Sequence, residues 1–455
     1  MRPLFRLIPL VALALPAAGA LIGTNPPAQP LTAERIARLP ASEQAPWRDY
    51  LERSNQQRRA DQAFVAAELK AAGLQRPVVP REGRGGMPLD READWYAGPE
   101  ARHVAEVIVS YQTPNGGWSK NLDMHGEVRR PGDSFIADNA SPVKPIPGDY
   151  GTSNDPHWNY FSTIDNDATT TQLRFLARVI TAVGPDQAAA DRAAFLRGVV
   201  YLLQAQYPNG GWPQVWPLNG GYHDDVTFND DAMVQVLEVL QGVAGGRPPY
   251  AFTGPELRQR AAAAVAAGIR CILDAQIVVN GRRTVWCQQH DVLTLAPTSA
   301  RNYEPPVECS AESASLTDFL MAQPDPSPEI VAAVHAAAAW LEKAAIHDRV
   351  WTRYGRRSAA PSGGAAADSA GARRPRPKPG VTHLVPSPGA PALWARYYQI
   401  GTDLPVYGDR DKSIHDRIEE ISVERQNGYQ WFNSRPAETL ARYGEWRRAH
   451  PAPSS

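Results

Sequence analysis

Cysteine is almost missing from this chain: Cys271, Cys287 and Cys309 are the only three in 455 residues. An odd count allows one disulfide at most, for which Cys271–Cys287 is the expected pair, and it leaves a thiol over. There is no CxxC pair, and His290 stands alone near these cysteines, so zinc ligation is not expected. Charge of one sign is lacking too. Forty-seven Lys and Arg face 48 Asp and Glu, a formal charge of -1. That balance offers no basic field to nucleic acid and no acidic tail to a basic partner. No phosphate-cradling glycine loop, GxSxG elbow or HExxH helix is found. Past the first twenty residues no run is apolar enough to cross a bilayer. What the chain does have is 12 Trp beside 35 Gly and 42 Pro, within 43% hydrophobic and 21% charged residues. That is a globular composition, on a chain long enough for a large buried core.

The N-terminus carries the one long apolar stretch. Arg2 and Arg6 precede Leu7 to Leu15, and Ala18-Gly19-Ala20 follows as a small-residue cleavage site. This reads as a secretory signal peptide over residues 1–20, too short and too Pro-interrupted for a spanning helix. The expected protein is therefore secreted or periplasmic, free of the membrane once the signal is removed, and a monomer. Residues 21–100 read as a Pro-broken leader with one polar helical stretch, Gln57 to Ala72, followed by Gly/Pro-rich coil.

From residue 101 to 450 helices alternate with loops, and a pattern recurs. One apolar helix ends in Tyr111-Gln112-Thr113-Pro114-Asn115-Gly116-Gly117-Trp118. A second ends in Tyr207-Pro208-Asn209-Gly210-Gly211-Trp212, and a weaker third reaches Asn280-Gly281 with Trp286 beyond. Glycine supplies the left-handed turn that stops a helix and proline cannot prolong it, so the Trp can fold back on the helix it has left. Trp118, Trp212 and Trp216 either plug the core in this way or stack on a ligand's rings. After each turn polar residues open another helix: Asp165-Asn166-Asp167, then Asn229-Asp230-Asp231, then Ser310-Ala311-Glu312. Such residues are good N-caps. Between them lie Ala- and Arg-rich outer partners over 188–206, 256–275 and 328–345. The pattern predicts a mainly α fold, an (α/α)3 toroid of inner and outer helices with short extra strands and long loops. In it the inner helices run parallel and bring their acidic starts to one rim. A low-complexity insertion, residues 358–380, has nothing to bury.

Four carboxylates on one rim, Asp165, Asp167, Asp230 and Asp231, repel one another unless a cation sits among them. Oxygen ligands without His or Cys favour a hard ion, and outside the cell that ion is Ca2+. Arg301, in Thr298-Ser299-Ala300-Arg301-Asn302-Tyr303-Glu304, lies in the loop before the third inner helix and would hang over the same rim. Taken alone it is expected to form an ion pair with Glu304 or Glu308. Beside a divalent ion it suits a polyanionic substrate, with Lys120 adding charge and Arg410 either joining it or sitting in an exposed turn. His223 lies near the second acidic cluster and reads as an ordinary loop residue.

Five blocks together resemble the family 10 polysaccharide lyases, the pectate lyases. They are YQTPNGGWSKNLDM (111–124), TIDNDATTTQLRFLARV (163–179), YPNGGWPQVWP with VTFNDDAM (207–233), APTSARNYEPP (296–306) and ISVERQNGYQWF (421–432). The resemblance spans about residues 95–443. It implies an (α/α)3 toroid, calcium-dependent cleavage of polygalacturonate, and an arginine as catalytic base, which on matching positions is Arg301. It also implies calcium and substrate acids within Asp165, Asp167, Asp230 and Asp231, with substrate contacts expected from Lys120, Asn121, Tyr303, Glu304 and Arg410. The chain departs from the family in its insertion and in Ser119, where proline is expected. Because an arginine loses its proton only above about pH 12, crowding by calcium and Lys120 is expected to favour its neutral form. Competing readings are a glycoside hydrolase on the same toroid, which needs no metal and leaves no unsaturated product, and a non-catalytic calcium-dependent binder of acidic polysaccharide.

Overall fold

The computed structural model describes residues 21–83, 86–137, 148–151, 158–353 and 382–452. The signal-peptide stretch and the insertion at 358–380 lie outside the described residues. Eleven helices are described: α1 (Ala33–Ile36), α2 (Ala41–Ala71), α3 (Pro99–Ser110), α4 (Thr170–Val183), α5 (Ala189–Ala205), α6 (Ala232–Gly245), α7 (Pro255–Ala275), α8 (Ser310–Met321), α9 (Pro328–Lys343), α10 (Val423–Gly428) and α11 (Arg435–Ala449).

Three of them are buried nearly all round. Leu173, Phe175, Leu176, Val179 and Ile180 on α4, and Met233, Val236, Leu237, Val239 and Leu240 on α6, are wholly inside. Helices with so wide an apolar face must be surrounded, and here α4, α6 and α8 sit side by side as the inner layer. The outer layer is α5 against α4, α7 against α6 and α9 against α8, with α3 closing on α4 and α5. This is the helical toroid that the repeat predicts. α11 packs over α8 and α9 as an additional cover.

The tryptophan that follows each turn does return to the helix it left. Trp118 donates its indole N–H to the Ile108 carbonyl at 2.8 Å, Trp212 to Leu202 at 2.8 Å and Trp286 to Ile272 at 2.7 Å. Each carbonyl belongs to the last turns of an outer helix, whose final carbonyls have no helical partner. All three rings are fully buried and Trp216 nearly so, which makes them core and leaves none to stack on a ligand. Glycines in the outer helices make room: a Cβ at Gly198 would stand 2.7 Å from Leu173 and 2.8 Å from the Trp118 ring, and one at Gly268 would stand 2.6 Å from Leu237 and 3.0 Å from Trp212.

Three local expectations change. The polar helix of the leader runs from Ala41, not from Gln57. Pro46 lies inside its second turn, where a missing amide costs one hydrogen bond and does not break the helix. That helix is part of the domain: Tyr50 donates to the Ala205 carbonyl at 2.8 Å and Asp61 accepts from Asn115 at 2.7 Å. The acidic residues before α4 and α6 do not cap them. No side chain accepts from the first amides of either helix, and the backbone enters each through left-handed residues, Asn166 and Asp167 (φ 51° and 58°) or Asp230 and Asp231 (φ 49° and 62°). Ser310 is likewise inside α8, which starts directly after Cys309, and its hydroxyl turns to the Ala395 carbonyl at 2.7 Å. Finally, Cys271 and Cys287 are not joined. All three thiols are free and buried, and the thiol beside Cys287 is that of Cys309.

Short strands complete the frame. Leu21–Thr24 pairs antiparallel with Ser413–His415, which pairs in turn with Tyr407–Gly408. A second small sheet joins Glu308–Cys309, Tyr397–Gln399 and Leu404–Pro405. No helix among the described residues is long and apolar enough to cross a membrane.

Candidate active site

The two acidic turns, Asp165–Asp167 and Asn229–Asp231, are one local structure built twice. Their left-handed residues fall at equivalent places, the turns pack against each other, and the second also packs against α8. A non-glycine residue held at positive φ stores strain, which concentrates at functional sites. The strain has a local use: it swings the carboxylates away from the helix amides they would otherwise cap.

Each acid then meets a different environment. Asp165 is buried, with Lys120 Nζ at 2.5 Å on Oδ2 and Gln214 Nε2 at 2.8 Å on Oδ1. Burial alone would raise its carboxyl, but Lys120, Gln214 and Arg301 hold it below the usual carboxylate range. Asp231 is paired with Arg435, at 2.5 and 3.0 Å. Asp230 is half-exposed, accepts from Asn229 at 2.8 Å and lies 3.6 Å from the Arg396 guanidinium. Asp167 stands at the exposed rim. Partial desolvation raises its carboxyl first, and the charges of Asp231, Asp230 and Asp165 raise it further. Asp167 thus feels the charge of the other three acids. Among the described residues, no three His, Cys, Asp or Glu side chains stand together as a ready metal cage.

Arg301 faces the same opening. Glu304 Oε2 accepts from its backbone N–H at 2.9 Å and its Nε at 2.8 Å, while the other oxygen takes a terminal nitrogen. Tyr303 and Tyr429 lie 5.0 and 5.7 Å from the guanidinium carbon. Burial pulls the guanidinium toward neutrality, but Glu304 outweighs it and the group titrates well above the ordinary arginine range. Against the crowding by calcium and Lys120 expected to favour a neutral Arg301 stands this carboxylate, which holds the proton on. Glu304 itself, raised by burial, is brought down to about 2 by Arg301 and by hydrogen bonds from Arg301 and Tyr429.

Among the expected substrate contacts, Glu304 and Tyr303 are buried, at 2% and 4% exposure, and both lie against Arg301. Lys120 is pinned between Asp165 and the Tyr160 ring, 3.5 Å from its centroid. Asn121, in a left-handed conformation, accepts from Asn166 at 3.1 Å. Both line a groove of about 210 Å³ that also includes Asp167, Met87 and His125. A larger hollow of about 660 Å³ opens between α3 and the start of α5 and contains none of these residues. Arg410 lies in an exposed turn and pairs with Glu424 at 2.8 and 3.1 Å, yet it also stands 5.7 Å from the Tyr303 ring that Arg301 approaches to 5.0 Å.

Sequence reasoning missed Arg396. It is buried, 2.6 Å from Glu312 and 3.0 Å from Asn229, with Tyr429 4.8 Å from its guanidinium carbon. Tyr429 donates to Glu304 at 2.7 Å, so a continuous path runs Asp230–Arg396–Tyr429–Glu304–Arg301. The one available signal was a lone cation inside the aromatic run Trp394-Ala395-Arg396-Tyr397-Tyr398. His223 is also closer to the chemistry than a loop residue would be. It is stacked on Tyr222 and 3.2 Å from the Tyr160 hydroxyl, and burial followed by the nearby Lys120 charge lowers it to about 4.

A helical toroid with carboxylates and cations gathered at the starts of its inner helices is the class of fold and site that these residues build. The family model described as pectic acid lyase matches residues 112–440, and the chain belongs to that family. Two solved structures are similar to it over 80% of its length, each with a TM-score of 0.60. One is a family 10 polysaccharide lyase from Cellvibrio cellulosa, 31% identical and covered over 98% of its chain. The other is a point mutant of a family 10 polysaccharide lyase from the same organism in complex with trigalacturonic acid, 30% identical and covered over 97%. No curated protein sequence matches.

Proposed function

We propose that this protein is an exported pectate lyase that cleaves α-1,4-polygalacturonate by calcium-dependent β-elimination, releasing 4,5-unsaturated oligogalacturonides. The observation that carries the reading is the Lys120–Asp165 pair, 2.5 Å apart beside the acidic turns, with Arg301, held by Glu304, near enough for its charge to act on Asp165. Lys120, Asp165 and Arg301, from three separate chain segments, bring two cations and an anion together, which suits a sugar that is itself charged.

The donor chemistry fits a calcium ion. The acids offer oxygen donors, and the Asp167 carboxyl, raised first by burial and held back by Arg174, is raised further by Asp231, Asp230 and Asp165, a repulsion a divalent cation would reverse. Asp165, Asp167, Asp230 and Asp231 are the residues that would hold it. Bound there, calcium would withdraw charge from a uronate carboxylate and make the adjacent C5–H more acidic. The chain's own residues do the rest. Lys120 and Arg410 attract and orient the anionic chain. Arg301, once deprotonated, accepts the C5 proton. The C5–H electron pair becomes the C4–C5 double bond, the C4–O bond to the next sugar breaks, and water protonates the leaving oxygen.

Since Glu304 holds Arg301 protonated, turnover should climb into alkaline pH, and an acidic optimum would remove Arg301 from the role of base. The primary test follows ultraviolet-absorbing unsaturated product from polygalacturonate, with and without a chelator. The expected outcome is product formation that stops on chelation and returns with calcium. Arg301→Ala should cut kcat by about 100-fold or more while trigalacturonate still binds. Reducing sugar without unsaturation would mean a hydrolase, and binding without any product a lectin-like role.

A further inference from the structure

We infer that Asn25 is a positioning residue for Arg301, and that the N-terminal arm is therefore a working part of the site. This deepens the reading above and rests on Arg301 being the base. Asn25 is 1% exposed. Its side-chain nitrogen donates to the carbonyls of both Arg301 and Asn302, at 3.0 Å each. Two carbonyls require a donor, so the orientation of the amide is set by its partners. The Arg301 carbonyl also accepts from Glu304 N–H at 2.9 Å, and Ala300 N–H donates to the Glu304 carbonyl at 3.0 Å. Glu304 thus fixes the Arg301 side chain while Asn25 fixes the backbone that carries it.

The arm around Asn25 ties this turn to a second one. Asn25 N–H donates to the Lys412 carbonyl at 2.8 Å, just after the strand Leu21–Thr24 pairs with Ser413–His415. Ser299 donates to the Pro26 carbonyl at 2.5 Å. The Tyr150 hydroxyl donates to the Asn25 carbonyl at 3.1 Å, and its backbone N–H to Asn302 Oδ1 at 2.8 Å. Asn302 in turn donates to the Arg410 carbonyl at 2.7 Å. Residues 21–26 therefore clamp the Arg301 turn against the turn bearing Arg410, and set the spacing of the two backbones that carry these cations. A base must sit within hydrogen-bond reach of the proton it takes, so a loop that drifts loses kcat before it loses affinity.

Asn25→Ala and Asn25→Asp in the full chain test this, with kcat and KM on polygalacturonate measured across pH and thermal melts confirming the fold. Asn25→Ala should lower kcat about tenfold or more with KM changed by less than about threefold. Asn25→Asp places a carboxylate against two carbonyl oxygens, so it should be worse than Asn25→Ala, and its deficit relative to Ala should shrink as pH falls toward the titration of that carboxyl. A group acting only as filler would not produce that pH-dependent gap. Tyr150→Phe removes one clamp contact and should cost kcat about threefold, keeping the idea testable if the Asn25 variants do not fold. Unchanged kcat in folded Asn25→Ala and Asn25→Asp overturns the inference, as does a loss confined to KM. If Arg301→Ala alone abolishes turnover while the Asn25 variants are normal, only this inference fails. Turnover surviving in Arg301→Ala sinks the assignment of the base itself.

Discussion

Glu304 gives up solvent entirely to accept three hydrogen bonds from Arg301, and the fork leaves 39% of the arginine side chain open to the mouth. Bidentate pairing restricts an arginine more than any single contact, so Glu304 both aims the guanidinium and resists its deprotonation. Glu304→Gln separates the two effects. The plateau of kcat should fall about tenfold through lost aim, while the rising limb of the pH–kcat profile moves to lower pH because the carboxylate that held the proton is gone. A limb that stays in place or moves up would mean that Glu304 does not govern the proton. The sequence already put Arg301 beside Glu304 at a spacing of three. It could not say which of two jobs the glutamate has, since both a ligand contact and an internal counter-ion look alike until burial is known.

At the level of elements, the repeat is carried by a turn, a tryptophan and a glycine on the facing helix. Gly198→Ala and Gly268→Ala should each cost about 1–3 kcal/mol, because the added methyl meets an indole ring that is itself tethered to a carbonyl. Chemical denaturation of each variant checks this, and a neutral result at both would mean that the layers can slide apart at no cost. The Asn-Gly-Gly-Trp turns were legible because glycine and proline have local consequences. The two glycines inside α5 and α7 were not, since their meaning lies in the ring that approaches from another element. The acidic turns were located correctly and read wrongly as caps. N-capping needs a side chain folded over its own helix, and left-handed Asn166, Asp167, Asp230 and Asp231 point it elsewhere.

Across the whole molecule, buried titratable groups outside the site set how stability follows pH. Asp225 is fully buried, both its side-chain oxygens are without a hydrogen-bond partner, and burial with Asp291 and Asp224 nearby pushes its carboxyl far up. A carboxyl raised in the folded state contributes stability that is present below the unfolded value and is lost as pH rises through the folded one. Asp225→Asn should therefore melt progressively higher than the parent as pH rises from acid to alkaline, and a constant difference would refute this. His223 and His290, each lowered by burial to about 4, act in the opposite sense: their stability is present above the unfolded value of 6.5 and is lost as pH falls toward 4. An enzyme working in alkali would keep the histidines' contribution and lose that of Asp225.

The chain's amino acids alone determined the helical toroid and the recurring turns, because periodicity and turn chemistry act over a few neighbouring positions, and the family resemblance singled out the acids, Lys120 and Arg301. Only the folded molecule decided who answers whom. Arg396 reaching Asp230, Tyr429 reaching Glu304 and Asn25 holding the Arg301 backbone are contacts between residues 166, 125 and 276 positions apart. Such pairings depend on the energy of burying one charge beside another, which no local pattern records.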